Sequence, residues 1–257
     1  MSDPRIELVV QDRVAQLTLR RPEKLNAIDA DMVDALLLAC RAIERSDARV
    51  AILSGEGERS FCAGGDIDAW SSLDPDAFSR RWLRDGHDAF DAVARLSVPL
   101  IAVLNGHALG GGLELAACAD LRIAETHVKI GQPEPGLGII PGWSGTQRAS
   151  RRFGAQLVRR MALFGEVYGA EEALALGLVD RVVATGEGQA AADAAALRVL
   201  QRSPRATELT KMLINAAEGE EGERVVEALA GAVAAASSDL TEGLAAYRQK
   251  RSPEFRR

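Results

Sequence analysis

Two glycine clusters and two carboxylates are the residues of this sequence best suited to chemistry. The segment Asn105-Gly106-His107-Ala108-Leu109-Gly110-Gly111-Gly112-Leu113-Glu114 follows an apolar run at 98–104 and leads into another at 115–119. Apolar run, triple glycine and apolar run read as strand, turn and helix. Without a Cβ, the glycines let the backbone approach a ligand closely, and the first free N–H groups of the helix point at whatever sits there. Such a turn receives a developing negative charge. Glu114 stands in the first helical turn, and an acid beside an oxyanion-ready turn is placed for proton transfer. The same residues have a plainer use, since glycines also permit tight helix–strand packing and the macrodipole favours an acid there.

A second glycine-bearing strand exit is Ser60-Phe61-Cys62-Ala63-Gly64-Gly65-Asp66-Ile67, and a second acid, Glu134, lies in a proline- and glycine-rich loop at 131–142. Taken alone, Gly65 is a turn glycine and Glu134 a solvated loop acid. Other motifs fail on context. Residues 136–142 form GxGxxxG after a proline loop, not the GxGxxG of a dinucleotide-binding turn, and Gly142-Trp143-Ser144-Gly145-Thr146 lacks the last glycine of GxSxG. His87, His107 and His127 stand in different segments without an i, i+4 pair, so no metal site is expected.

The elements that must position these groups follow from the pattern. Residues 6–10 and 14–19 alternate as a hairpin. After a polar loop at 20–27, Asp29 caps a helix whose Met32, Val33, Leu36, Leu37, Cys40 and Ile43 recur at helical spacing. A buried strand is predicted at 50–54. Asp74-Pro75 breaks the chain, and the arginine-rich segment 76–96 is amphipathic, with Phe78, Trp82, Leu83, Phe90 and Val93 for one face; it would cover a pocket. A strand at 121–124, helices near 144–152, 155–164 and 170–175, a strand at 179–183 and an alanine-rich helix at 189–200 complete an α/β core. From Ser203-Pro204 onward the chain reads as helix only. Its stripes Val225, Leu229, Val233 and Leu240, Leu244, Tyr247 suit packing on a partner subunit or on the chain's own core.

Composition narrows the classes. The chain has 257 residues, 47% of them hydrophobic, enough for a globular core, and a net charge of −6 argues against a general nucleic-acid binder. Cys40, Cys62 and Cys118 stand alone among apolar residues, as buried thiols of a reducing compartment do, and the cytoplasm is the expected location. No signal-like segment opens the sequence and no apolar run reaches a bilayer span, so neither export nor membrane insertion is expected.

Together, Phe61-Cys62-Ala63-Gly64-Gly65-Asp66-Ile67, the run from Asn105 to Glu114, Gly131-Gln132-Pro133-Glu134 and Gly145-Thr146-Gln147-Arg148 resemble the crotonase, or enoyl-CoA hydratase/isomerase, superfamily. The likeness runs nearly end to end, from Arg21-Pro22-Glu23-Lys24-Leu25-Asn26-Ala27 to Glu242-Gly243-Leu244-Ala245-Ala246-Tyr247-Arg248-Gln249-Lys250-Arg251. It implies an α/β fold: a crotonase-like spiral core of β-β-α repeats over 1–202, binding acyl-CoA, and a C-terminal helical part over 203–257 that forms homotrimers, which pair as hexamers.

The resemblance also implies roles. The N–H groups of Gly65 and Gly111 would hold a thioester oxygen; Lys24, Leu25, Ala27, Ala63, Asp66 and Ile67 would lie near the CoA moiety. Tyr247 and Lys250, in a basic closing stretch with Arg248, Arg251, Arg256 and Arg257, would reach CoA in a neighbouring subunit. Trp70, Leu137 and Trp143 would line the acyl pocket. Glu114 would activate a water and Glu134 would protonate C2. Family members that isomerise, cleave or decarboxylate often lack one of these glutamates, so having both favours hydration of a trans-2-enoyl-CoA in acyl-CoA catabolism, with no metal or redox cofactor. Isomerisation, dehydration of a specialised hydroxyacyl-CoA, or a non-catalytic acyl-CoA- or RNA-binding scaffold are the alternatives. Two departures from the family pattern stand out: Trp143-Ser144 where small residues are usual, and Ile130 where an aromatic is common.

Overall fold

The computed structural model describes residues 4–255. Among them, ten strands form two sheets: β1 (Ile6–Gln11), β2 (Val14–Leu19), β3 (Val50–Gly55), β4 (Ser60–Cys62), β5 (Leu100–Leu104), β6 (His107–Leu109), β7 (Leu121–Glu125), β8 (Lys129–Gly131), β9 (Val167–Gly169) and β10 (Arg181–Val183). The larger sheet has the order β1-β2-β3-β5-β7-β10, the smaller β4-β6-β8-β9. Only β1/β2 and β8/β9 are antiparallel. Thus β3/β4, β5/β6 and β7/β8 each give one strand to either sheet before a helical segment follows, which is the β-β-α repeat.

The expected hairpin forms with a two-residue turn, Asp12 and Arg13 both at positive φ (49° and 67°), as the twist of a tight hairpin requires. Asp29 caps the helix Ala30–Glu44 by accepting from Met32 N, a bond worth about 1 kcal/mol. Strands β3 and β5 read as unbroken apolar runs because both faces are covered. Ala51, Leu53, Leu100, Ala102 and Leu104 face the main core, while Val50, Ile52, Ile101 and Val103 pack with Ala192, Ala195 and Ala196 of the helix Gly188–Leu200.

One difference from the sequence reading concerns the central element. The apolar strand does not run straight into the triple glycine; β5 ends at Leu104, the chain crosses to the other sheet, and β6 intervenes. Gly106 makes the crossing possible, because a Cβ there would overlap the backbone of Ser60. Asn105 pins it, its side chain exchanging bonds with Gly55 N (3.1 Å) and Gly55 O (2.6 Å). The helix that follows spans only Gly111–Ala116. The segment 76–96 divides into the turn Pro75–Ala77, a π-helical stretch Phe78–Leu83 and the helix Arg84–Ala94; π turns frequently mark functional sites.

The chain divides into two compact units, Met1–Lys211 and Met212–Arg257, the division falling inside the helix Pro204–Ala217. The second unit contains the helices Glu223–Ala235 and Ser238–Gln249. Val225 and Ala246 are buried, whereas Val226, Val233, Leu240, Leu244 and Tyr247 are exposed. Among the described residues no helix is long and apolar enough to cross a membrane.

Candidate active site

The glycine exits after β4 and β6 meet. Gly64, at φ 103°, would place a Cβ 3.1 Å from Gly111 N, and one on Gly111 would lie 3.1 Å from Gly64 Cα. A Cβ on Gly112 would overlap the Cys62 carbonyl oxygen. The glycines are therefore required by the approach of two backbones as well as by any ligand. The loop before Ala30 holds the first exit in place: Ile28 N donates to Gly64 O (2.8 Å), Asp66 N to Ile28 O (2.7 Å) and Ala63 N to Leu25 O (3.1 Å). Neither Gly65 N nor Gly111 N donates in these turn and loop hydrogen bonds, so both N–H groups remain available at the pocket.

That pocket, a cavity of about 90 Å³, is lined by both glycines, Ala63, Glu114, Glu134 and a ring of apolar groups. Ile67, Trp70, Leu137 and Trp143 are among them, and so are Phe78, Trp82 and Leu83 from the π-helical stretch.

Glu114 is 3% exposed, and its Oε1 accepts from Trp143 N (2.7 Å) and Gly145 N (2.6 Å). These donors converge because the intervening Ser144 takes a positive φ of 81°. Gln132, fully buried, fastens the same turn through Nε2 to Gly145 O (3.0 Å). Burial first, and the charge of Glu134 second, push the Glu114 carboxyl up to about 8; the two N–H donors and the Arg148 guanidinium oppose the rise. Arg148 is 1% exposed and pairs with Asp91 at 2.5 Å.

Glu134, in the short helical turn Glu134–Leu137, is 7% exposed, and neither carboxylate oxygen has a hydrogen-bond partner. Burial pushes it up to about 7, offset only by its own backbone N–H, which falls short of hydrogen-bond geometry. The carboxylate lies beside Gly110, where a Cβ would sit 3.0 Å from Oε1. Two acids that both titrate near neutrality in one apolar pocket are matched to proton transfer at that pH. Cys62 is no competing nucleophile, because burial pushes its thiol up to about 12.

The remaining expected site residues lie elsewhere. Asp66 has its carboxylate committed, accepting from Asp68 N (3.0 Å) and pairing with Arg21 (2.7 Å). Exposed Lys24 pairs with Asp68 at 2.7 Å, an interaction of small worth in water. Leu25 (φ 55°) and Ala27 belong to the docked loop and do not line the pocket. Tyr247 and Lys250 are exposed in the second unit, and Arg251 is bound by Glu242 (2.6 and 3.0 Å). Arg256 and Arg257 lie outside the described residues. Among the described residues no group of three or more His, Cys, Asp or Glu is arranged to hold a metal ion.

Reading the sequence alone misses the donors to Glu114, the Arg148–Asp91 pair and Gly86. The last had a signal: a glycine inside an amphipathic helix costs about 1 kcal/mol against alanine and implies a packing reason.

Comparison with known proteins agrees with this geometry. Residues 10–257 match the family model described as enoyl-CoA hydratase/isomerase. The crotonyl-CoA hydratase of Syntrophomonas wolfei subsp. wolfei is 35% identical over 258 residues, covering 99% of each chain. The short-chain-enoyl-CoA hydratase of Clostridium acetobutylicum is 38% identical over 206 residues, 80% of this chain and 78% of that one. Among solved structures, Pseudomonas aeruginosa DspI matches with a TM-score of 0.83 at 32% identity, covering 100% of this chain and 98% of its own. With its paired glycine exits, its two buried acids and these full-length likenesses, the chain belongs to the enoyl-CoA hydratase/isomerase family.

Proposed function

We propose that the chain is an enoyl-CoA hydratase that adds water reversibly across C2=C3 of a trans-2-enoyl-CoA to give a 3-hydroxyacyl-CoA. The observation that carries this reading is the meeting of two buried, neutral-range carboxyls with two free glycine N–H groups in one pocket. The thioester oxygen binds between Gly65 N and Gly111 N. As water attacks C3, charge moves onto that oxygen, and each donor there is worth about 3–4 kcal/mol in the transition state.

The proton inventory fits one acid in each state. Burial is the larger cause of the rise at Glu114 and repulsion from an ionised Glu134 the second; protonation of Glu134 removes the repulsion, and two N–H donors and Arg148 then work against burial in favour of the Glu114 anion. Glu134 lacks any partner that would stabilise its charge and holds the proton. Glu114 then takes a proton from water as the O–C3 bond forms, the C2=C3 π pair moves toward C2, and Glu134 supplies the proton of the new C2–H bond. Return of one proton from Glu114 to Glu134 resets the pair, and the sum is one water added. Each carboxyl in such a role contributes about 10²–10⁴-fold. Coenzyme A is part of the substrate, and this chemistry calls on no separate cofactor.

Lys24, Leu25, Ala27, Ala63, Asp66 and Ile67 belong to this proposal as the CoA-binding surface. The loop 24–27 lies beside the exit that it docks against, Ala63 N donating to Leu25 O (3.1 Å). Residues 203–257 serve assembly into trimers or hexamers, a role supported by the exposed Val226, Val233, Leu240 and Leu244. Tyr247 and Lys250 would reach a neighbour's CoA. Three free, buried cysteines support a reducing, cytoplasmic location. The test is loss of the conjugated-thioester absorbance on mixing with crotonyl-CoA; binding without turnover would sink the hydratase reading in favour of a scaffold.

A further inference from the structure

Trp143 lines the pocket and lies against both glycine exits. Its indole is 3% exposed and spans from the helix Arg84–Ala94 to the two glycine exits. At the first end there is room only because residue 86 is glycine: a Cβ there would overlap the indole Nε1 and Cε2. At the other end the six-membered ring lies against both exits, its Cη2 at 3.3 Å from a Cβ built on Gly65 and its Cε3 at 3.1 Å from one built on Gly111. Trp82 and Phe90 flank the indole at ring-centroid distances of 4.9 and 5.0 Å, and Nε1 donates to Trp82 O (3.3 Å).

The ring is therefore held on four sides, and a swing out of the pocket breaks a buried hydrogen bond and two ring contacts. Exposure shows which side is closed: Leu137 (58%) and Ile140 (67%) stand at the open side, Trp143 and Trp82 (7%) at the closed one. The space left between this closed side and the two glycine exits is small, a cavity of about 90 Å³.

Resting on the hydratase reading above, we infer that Trp143, seated by Gly86, is the specificity-determining wall of the acyl pocket and limits the substrate to a short, unbranched enoyl group. The backbone N–H of Trp143 also holds Glu114, so wall and acid share one turn, but only the indole sets the length.

The experiment compares kcat/KM for crotonyl-, hexenoyl-, decenoyl- and cinnamoyl-CoA. The native chain favours crotonyl- over decenoyl- and cinnamoyl-CoA by at least about 10-fold. Trp143→Ala keeps the backbone donor to Glu114 and raises the decenoyl-to-crotonyl ratio by about 10-fold or more. Gly86→Ala drives the indole toward Gly65 and Gly111 and lowers crotonyl turnover; the double variant Gly86→Ala/Trp143→Ala recovers it, because the overlap is gone. A merely structural tryptophan would depress all substrates together and leave the ratio unchanged, which overturns the inference. So does a native chain that hydrates decenoyl- or cinnamoyl-CoA as well as crotonyl-CoA, a result that needs no variant to fold and leaves the hydratase reading intact. Failure of that reading looks different: the native chain hydrates none of the four.

Discussion

Glu134→Gln should abolish turnover, and its stability relative to the native protein should rise with pH. The Glu134 carboxyl rises from its ordinary 4.5 to about 7 because both oxygens are buried without a hydrogen-bond partner. Between those values the folded state binds more protons than the unfolded one, so native stability falls as pH rises from 4.5, and the loss is complete above 7. A separation of about 2.5 pH units at about 1.36 kcal/mol each sets a ceiling of about 3.4 kcal/mol. Measured between about pH 5, where part of the loss has occurred, and about pH 8.5, the share is about 2.5 kcal/mol. Glutamine carries no charge and escapes this loss. Its buried amide costs about 1–3 kcal/mol, but equally at both pH values, so it cancels in the comparison. Urea titrations of both proteins at one fixed concentration give the difference, with crotonyl-CoA hydration assayed in parallel. A stability difference that is the same at both pH values refutes the argument that Glu134 sits desolvated. Turnover near native levels removes it from the chemistry.

Glu114→Gln should keep the fold and much of the CoA affinity while losing at least about 10²-fold in turnover, read by steady-state kinetics beside a binding titration. Gly145→Ala places a Cβ 2.5 Å from Glu114 Oε1 and in overlap with Gln132 Nε2. The turn must withdraw, and kcat should fall while circular dichroism stays native; unchanged kcat would show that the N–H donors are dispensable. Lys250→Glu should weaken acyl-CoA binding and spare turnover at saturation, since it touches uniform binding only; an unchanged KM would return the residue to the solvated surface. Truncation after Arg202 should abolish trimers in sedimentation, and a trimer that persists would place the assembly surface elsewhere.

The sequence alone was enough for features that rest on local requirements. The cap at Asp29, the hairpin, the helix periods and the glycine exits answer to backbone conformation and to neighbours a few residues away, and each leaves its mark at a fixed spacing. The two acids could be picked out because Glu114 follows the triple glycine and Glu134 stands in a proline- and glycine-rich loop, and because the combined motifs resemble one family. What tertiary structure alone decided is how those pieces become a site. The strands β6, β8 and β9 are three residues long, too short for a hydrophobic period, and exist because a second sheet pairs them. Nothing near Glu114 in sequence announces that its partners are the N–H groups of residues 143 and 145, some thirty positions on. Gly86 is unexplained until the Trp143 indole fills the space its missing Cβ leaves. The neutral-range titration of both glutamates likewise comes from burial by residues remote in sequence, because solvation is a property of the packed volume around a group and not of the chain on either side of it.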